Sequence, residues 1–87
     1  MQISVSDIQK GWIYRTPTNQ ERLVLGWDKD DKVVYSSRGG NVMNEFKNSR
    51  TTSSAETFAQ ACSEKVREVS DIDKFIDDNN AREVVVR

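Results

Sequence analysis

The sequence predicts an α+β domain in which a small antiparallel sheet of four to five strands comes first and an amphipathic helix covers it. The first half contains short runs of β-branched and aromatic residues separated by turn residues. After residue 50, apolar residues recur every three or four positions behind a serine-rich start. At 87 residues the chain fits one domain, 1–87, with a strand-rich part over 1–50, a helical part over 51–80 and a possible last strand over 82–87.

The first strand is expected directly behind one helical turn. Ser6 is a suitable capping residue for that turn, and Gly11 ends it. Residues 12–16 are aromatic and β-branched, and Pro17 cannot donate a hydrogen bond to a central ladder. The first strand therefore ends at the turn that Pro17 begins.

The second strand gives the clearest alternation in the chain. Within residues 22–28, Leu23, Leu25 and Trp27 fall on one face by the two-residue period of a strand. We therefore expect Trp27 to share the core with the two leucines.

Two more strands are predicted, so that strands two, three and four form a meander. Turn residues at 29–31 precede Val33-Val34-Tyr35, and the segment 38–41 has the glycines of a hairpin turn. The fourth strand is then expected over 42–47.

A helix of about four turns is predicted next, because Ser53 and Glu56 match a capping box. Its apolar stripe consists of four residues spaced by four, four and three positions: Phe58, Cys62, Val66 and Val69. This stripe is expected to cover the sheet.

A shorter second helix and a last strand are predicted to follow. Ser70 and Asp73 resemble a weaker cap before a helical spacing of apolar residues that ends at 78–80. The β-branched run over 83–87 is better explained as a strand than as a helix. Whether that strand pairs within the chain or with a second copy stays open.

Composition points to a folded protein without disulfide support. Hydrophobic residues make up 36% and charged residues 31% of the chain, and its one cysteine cannot form an internal disulfide. No apolar run reaches the ~18 residues of a membrane span, so a cytoplasmic protein without a membrane partner is expected. Residues 1–52 contain eight Lys/Arg and six Asp/Glu, whereas residues 53–87 contain five and eight.

Several kinds of active site are excluded by the absence of histidine. Neither a Ser-His or Cys-His nucleophile nor a histidine-rich zinc site is available. Cys62 lies on the predicted apolar stripe, where a cysteine usually packs as a small hydrophobe. We therefore expect no enzyme, no catalytic residues and no cofactor.

No metal site is expected either. The acidic run Asp28, Asp30 and Asp31 fails the calcium-loop pattern, because Lys32 and Val33 stand where an oxygen ligand and glycine are required. A second acidic group near the predicted short helix is interpreted as a solvated face, and it contains Asp71, Asp73, Asp77 and Asp78.

A combination of aromatic and basic residues on the strands gives the candidate binding site. Aromatic faces stack on bases or bind cations, and arginines neutralise phosphates. Core packing and solvated strand faces are the alternatives for each residue. The candidate residues are Trp12, Tyr14, Arg15, Arg22, Tyr35 and Arg38.

The order of residues 11–14, 22–28 and 31–35 resembles the start of a small SH3-like barrel. The chain is also similar in size and style to uncharacterised small proteins of bacterial integron gene cassettes, which are mobile elements. The first resemblance implies a barrel or curled sheet that acts as a binding or oligomerisation module, and the second implies no activity. A fold resemblance does not assign a ligand.

The expected function is that of a non-enzymatic binding module with a protein partner or a second copy of itself. The alternative is a small nucleic-acid-binding or regulatory protein that uses the basic and aromatic strand face.

Overall fold

The computed structural model describes residues 2–39, 46 and 50–87. Its strands and helices, in chain order, are β1 (Trp12–Arg15), β2 (Gln20–Trp27), β3 (Val33–Gly39), β4 (Thr51–Ser53), α1 (Ala55–Ala61), β5 (Glu64–Glu68) and α2 (Ile72–Asp78). Single 3₁₀ turns occur at Val5–Asp7 and Ala81–Glu83. The α+β class is confirmed.

The strands form one open antiparallel sheet in the order β4-β3-β2-β1-β5. Strands β1, β2 and β3 form a meander that contains the predicted strands two and three, with turns in which Asn19 and Asp31 adopt positive φ. Strands β4 and β5 are the two edges of the sheet, which is not closed into a barrel. The predicted fourth strand over 42–47 falls almost wholly outside the described residues.

Both faces of the sheet are covered, each by a different helix. Face A is the face that contacts α1 and the first 3₁₀ turn, and its core includes Tyr14, Val24 and Phe58. Face B is the face that contacts α2 and the second 3₁₀ turn, and its core includes Ile13 and Leu23. The single covering helix predicted from the sequence is therefore replaced by two short helices on opposite faces.

The predicted four-turn helix is wrong in its second half. α1 begins behind Ser54, whose hydroxyl accepts a hydrogen bond from the Thr57 amide, and ends before Cys62 in extended backbone. Residues 64–68 then form β5, which pairs with β1. Phe58 contacts face A, whereas Val66 packs on face B, so the apparent stripe is divided between the two faces. Long-range strand pairing has overridden a local helical pattern.

The second helix is confirmed, since α2 spans Ile72–Asp78. Its cap differs from the expectation: the Asp71 carboxylate, not Ser70, accepts a hydrogen bond from the Lys74 amide at 3.3 Å. Ile76 on this helix is fully buried against face B.

A β-bulge in β2 changes the face on which Trp27 lies. Val24 pairs with Tyr35 and Gly26 pairs with Val34, so Leu25 is an additional residue in the strand. As a result Leu25 packs on face B, whereas Trp27 packs half-buried against face A. The prediction that Trp27 shares a face with the leucines is wrong for this reason.

The C-terminal segment lies beside this bulge and is not a strand. The Val86 amide donates to the Trp27 carbonyl at 2.8 Å, and the Trp27 amide donates to the Arg87 main-chain oxygen at 3.0 Å. The expected last strand is thus reduced to main-chain pairing at one residue, Trp27, and that pairing is within the chain.

Across the part of the chain that the structure describes, no helix has the length and apolar character needed to cross a membrane.

Gly26 gives a direct test of the bulge. Its φ is +147°, and a Cβ atom built there would lie 2.3 Å from the Arg87 main-chain oxygen and 2.6 Å from Val85. We expect Gly26→Ala to lower the free energy of unfolding by about 2 to 3 kcal/mol, because backbone strain and the clash add. Urea denaturation followed by tryptophan fluorescence measures this change.

Gly11→Ala is the matched control, because Gly11 also has positive φ (+86°) but its Cβ would meet Ile72 only at 3.4 Å. A loss of about 1 kcal/mol is expected there. Equal losses at the two glycines would contradict the close approach of the C-terminal segment to Gly26.

Candidate functional site

A row of four charged residues of alternating sign crosses face B. Its members come from neighbouring strands in the order β5, β1, β2 and β3, and we call Glu64, Arg15, Glu21 and Arg38 the charged row. Arg15 lies 2.6 Å from Glu64 and 3.1 Å from Glu21, and Arg38 lies 2.9 Å from Glu21. Strand register causes this, since Arg15 and Arg38 are both cross-strand partners of Glu21.

Glu21 is the centre of the charged row and is buried, with 8% of its surface exposed. Burial alone would raise its pKa, but the hydrogen bonds from Arg38 and Arg15 outweigh burial and hold the pKa of Glu21 below its ordinary 4.5. The carboxylate is therefore ionised at neutral pH and acts as a fixed link between two arginines.

A groove runs beside this row, between face B and α2. Its volume is about 500 Å³. One wall is the helix face that carries four residues at helical spacing: Asp71, Lys74, Phe75 and Asp78. The remaining lining comes from the sheet, from the segment after β5 and from one residue before β4: Ile13, Leu23, Arg38, Phe46, Arg67, Val69 and Ser70. The groove therefore has an apolar floor and charged walls.

The three cations that line the groove differ in whether another side chain neutralises their charge. Arg38 is bonded to Glu21 and lies 4.2 Å from the centre of the Phe46 ring. Lys74 lies 3.8 Å from Asp78. Arg67 is exposed, and among the described residues no hydrogen bond or ion pair to its guanidinium is found. Arg67 is thus the groove cation most available to a ligand.

Two of the predicted aromatic site residues are buried in face A. The Tyr14 hydroxyl donates to the Asp7 carbonyl and accepts from the Gln9 amide, both at 2.6 Å, and burial raises the pKa of Tyr14 to about 12. Tyr35 packs edge-on against Phe58. These tyrosines build the core and tie the N-terminal segment to the sheet.

Three aromatic rings on face A or its rim are contacted by cations of the chain itself. Lys65 lies 4.3 Å from the Trp12 ring centre, and Arg22 lies 4.9 Å from that of Tyr35. Arg87 lies 5.2 Å from the Trp27 ring centre. Each such contact contributes about 0.5 to 1 kcal/mol at an exposed site, so a stacking base would first have to displace a cation.

The structure therefore divides the predicted binding set. Arg15 and Arg38 meet at Glu21 on face B, whereas Trp12, Tyr14, Arg22 and Tyr35 belong to face A or its rim. The six residues do not form one continuous surface.

Sequence reasoning missed the groove because it placed Val66 and Val69 on a helix. A signal was present: residues 64–68 have two charged residues on each side of a central valine, a pattern typical of an edge strand. That interpretation would have placed Arg67 and Val69 beside the sheet.

Cys62 is fully buried, which confirms the predicted core packing. Burial raises the pKa of its thiol to about 11, so the thiolate is scarce at neutral pH.

The acidic residues are engaged locally. Asp28 accepts hydrogen bonds from the Asp30 and Lys32 amides at 2.8 and 2.9 Å, which stabilises the turn between β2 and β3. Asp77 lies 2.7 Å from Arg82, whose hydrogen bond lowers the pKa of this aspartate. Within residues 2–39, 46 and 50–87, no three His, Cys, Asp or Glu residues are grouped to hold a metal ion.

Comparison of the chain with protein-family models, curated proteins and solved structures gave no match.

Glu21→Gln tests the charged row. We expect it to lower the free energy of unfolding at pH 7 by about 1 to 3 kcal/mol, because charge-assisted hydrogen bonds to two arginines are weakened in a buried position. The folded pKa of Glu21 is depressed, so its contribution is complete at neutral pH and is lost as pH falls through the folded pKa, below 4.5. The variant should therefore lose less stability than the parent on acidification.

Denaturation at a series of pH values from 7 to 3 measures both effects. The control is Glu68→Gln on the same sheet, which is exposed and has no ion pair among the described residues, and it should change stability by less than about 0.5 kcal/mol. Parallel pH profiles for the parent and Glu21→Gln would contradict the role of the row.

Proposed function

We propose that this chain is a non-catalytic binding module and that its ligand site is the groove between α2 and face B. The observation that carries the proposal is a groove of about 500 Å³ whose apolar floor consists of the partly exposed Phe46, Val69 and Phe75 above the buried Ile13 and Leu23. This volume lies in the range of ligand pockets, about 300 to 1,000 Å³. A large apolar side chain of a protein partner fits such a floor.

The surroundings of the groove support a rigid site. Strands β1 and β2 carry its floor, and the charged row holds four strands in register beside it. Sites on such elements need little ordering on binding, which lowers the entropic cost of association.

A finer assignment of this sheet to the SH3-like barrels stays a prediction. It is supported by a three-strand meander with β5 paired to β1. A link to integron cassette proteins also stays a prediction.

Self-association stays a prediction with less support. The main-chain groups of the C-terminal segment form hydrogen bonds with Trp27 of the same chain, so they do not pair with a second copy. Edge strand β5 has a bulge at Val66, since Ile13 pairs with Arg67 and Tyr14 with Lys65. Bulges and charged side chains both discourage strand pairing at a sheet edge.

Nucleic-acid binding likewise stays a prediction. Of its candidate cations, Arg15 and Arg38 neutralise Glu21, and Arg22 bonds to Gln20 while covering Tyr35. These pairs leave less positive charge for phosphates than the sequence suggests.

A titration with the neutral blocked peptide acetyl-Phe-Gly-Asn-amide tests the proposed site. We expect amide NMR shifts centred on Ile13, Leu23, Val69 and Phe75, with a dissociation constant on the order of 1 mM for so small a probe. Shifts confined to face A, or no shifts, would overturn the proposal.

Variant Ser70→Trp adds a block at the groove, because Ser70 is exposed and lines it. It should abolish the groove shifts. Gln60→Trp is the matched control, since Gln60 is exposed on α1 at the opposite face, and it should bind the peptide as the parent does. Equal binding by both variants would place the peptide outside the groove.

A further inference from the structure

We infer that the ligand of the groove carries a carboxylate close to its apolar side chain and that Arg67 binds this carboxylate. The inference rests on the proposed function, because it names the chemistry of the ligand for the same site.

The charges lining the groove point to an anion at its β5 end. Of the three lining cations, Arg38 is held by Glu21 at 2.9 Å and Lys74 lies 3.8 Å from Asp78. Arg67 is the remaining cation, and within the described residues its guanidinium has no such partner. An anionic group would therefore meet one cation that is not already neutralised.

The two acidic groups that line the groove already have partners in α2. The Asp71 carboxylate caps α2 through the Lys74 amide, and Asp78 pairs with the Lys74 ammonium. A cationic ligand would have to compete with Lys74 for Asp78, whereas an anionic ligand would meet an Arg67 guanidinium that has no partner among the described residues. This difference favours negative charge in the ligand over positive charge.

The position of Arg67 sets the distance between the two ligand groups. Arg67 is the cross-strand partner of Ile13, so its backbone lies one strand spacing, about 4.8 Å, from the strand beneath the groove. In an extended peptide, side chains two residues apart point to the same side and are about 6.6 Å apart. An acidic residue two positions from a large apolar residue therefore fits the groove.

The choice of arginine adds geometric selectivity. A guanidinium binds a carboxylate through two parallel hydrogen bonds, which a lysine ammonium cannot reproduce. We therefore expect the groove to prefer a carboxylate to an amide of the same shape.

Three blocked peptides that differ at one position test the inference: acetyl-Phe-Gly-Asp-amide, acetyl-Phe-Gly-Asn-amide and acetyl-Phe-Gly-Lys-amide. In amide NMR titrations at low salt, the Asp peptide should bind about fivefold more tightly than the Asn peptide, as expected for a partly exposed ion pair. The Lys peptide should bind no better than the Asn peptide. The Asp preference should shrink as salt is added.

Variant Arg67→Gln should bring the Asp peptide to the affinity of the Asn peptide and leave the Asn peptide unchanged. Arg67→Lys should keep part of the preference, because it retains charge without the bidentate geometry. The control Lys32→Gln removes an exposed cation from the turn between β2 and β3 and should leave all three affinities unchanged.

The outcomes separate this inference from the proposed function. Equal binding of the three peptides at the groove, or an Asp preference that survives Arg67→Gln, overturns the inference and leaves the groove as the site. Groove shifts with none of the peptides overturn both.

Discussion

The central strands of this protein are apolar on both faces, and that constraint determines the rest of the structure. Ile13 and Tyr14 are consecutive in β1 and fully buried, and so are Val33 and Val34 in β3. Because successive side chains in a strand point to opposite faces, neither face can be left to solvent. The chain after β4 supplies a cover for each face, α1 on face A and α2 on face B.

The two covers are too short to enclose the whole sheet. Five strands about 4.8 Å apart extend about 19 Å between the edges, whereas the seven residues of α2 extend only about 10 Å. The core strand residues of face B are buried, but a groove remains beside α2 in which Val69 and Phe75 are partly exposed. The charged row borders this groove, and its opposite charges pair with one another. Arg67 is outside the row and exposed, and it is the cation through which we propose that the groove selects an anionic ligand.

Local patterns predicted the fold class, the first three strands and α2, because these depend on short-range signals such as strand alternation and turn residues. Two interactions between distant residues were not predictable in the same way. β5 forms because residues 64–68 complete the ladder on β1, and the periodicity of Phe58, Cys62 and Val66 also matches a helix. Trp27 changes face because of the bulge, although the isolated Gly26 within the strand was a signal for one.

The candidate site was only partly predictable for the same reason. Arg15 and Arg38 were singled out as surface cations, but their common partner Glu21 follows from strand register, which the sequence does not specify. On the predicted helix, Arg67 was one of several exposed charged residues, and nothing marked it as a binding residue. Its candidate role follows only from the pairing of β5 with β1, which places Arg67 beside Ile13 at the edge of the groove.

The most direct test of this account is a methyl-resolved nuclear Overhauser experiment on the protein in solution, aimed at Val66. We expect contacts from the Val66 methyl groups to residues of face B, such as Ile13, and none to Cys62 on face A. Contacts between the Val66 methyl groups and Cys62, one helical turn earlier, without contacts to Ile13, would mean that α1 continues as one long helix. In that case β5, the division of the core into two faces and the groove would all be contradicted.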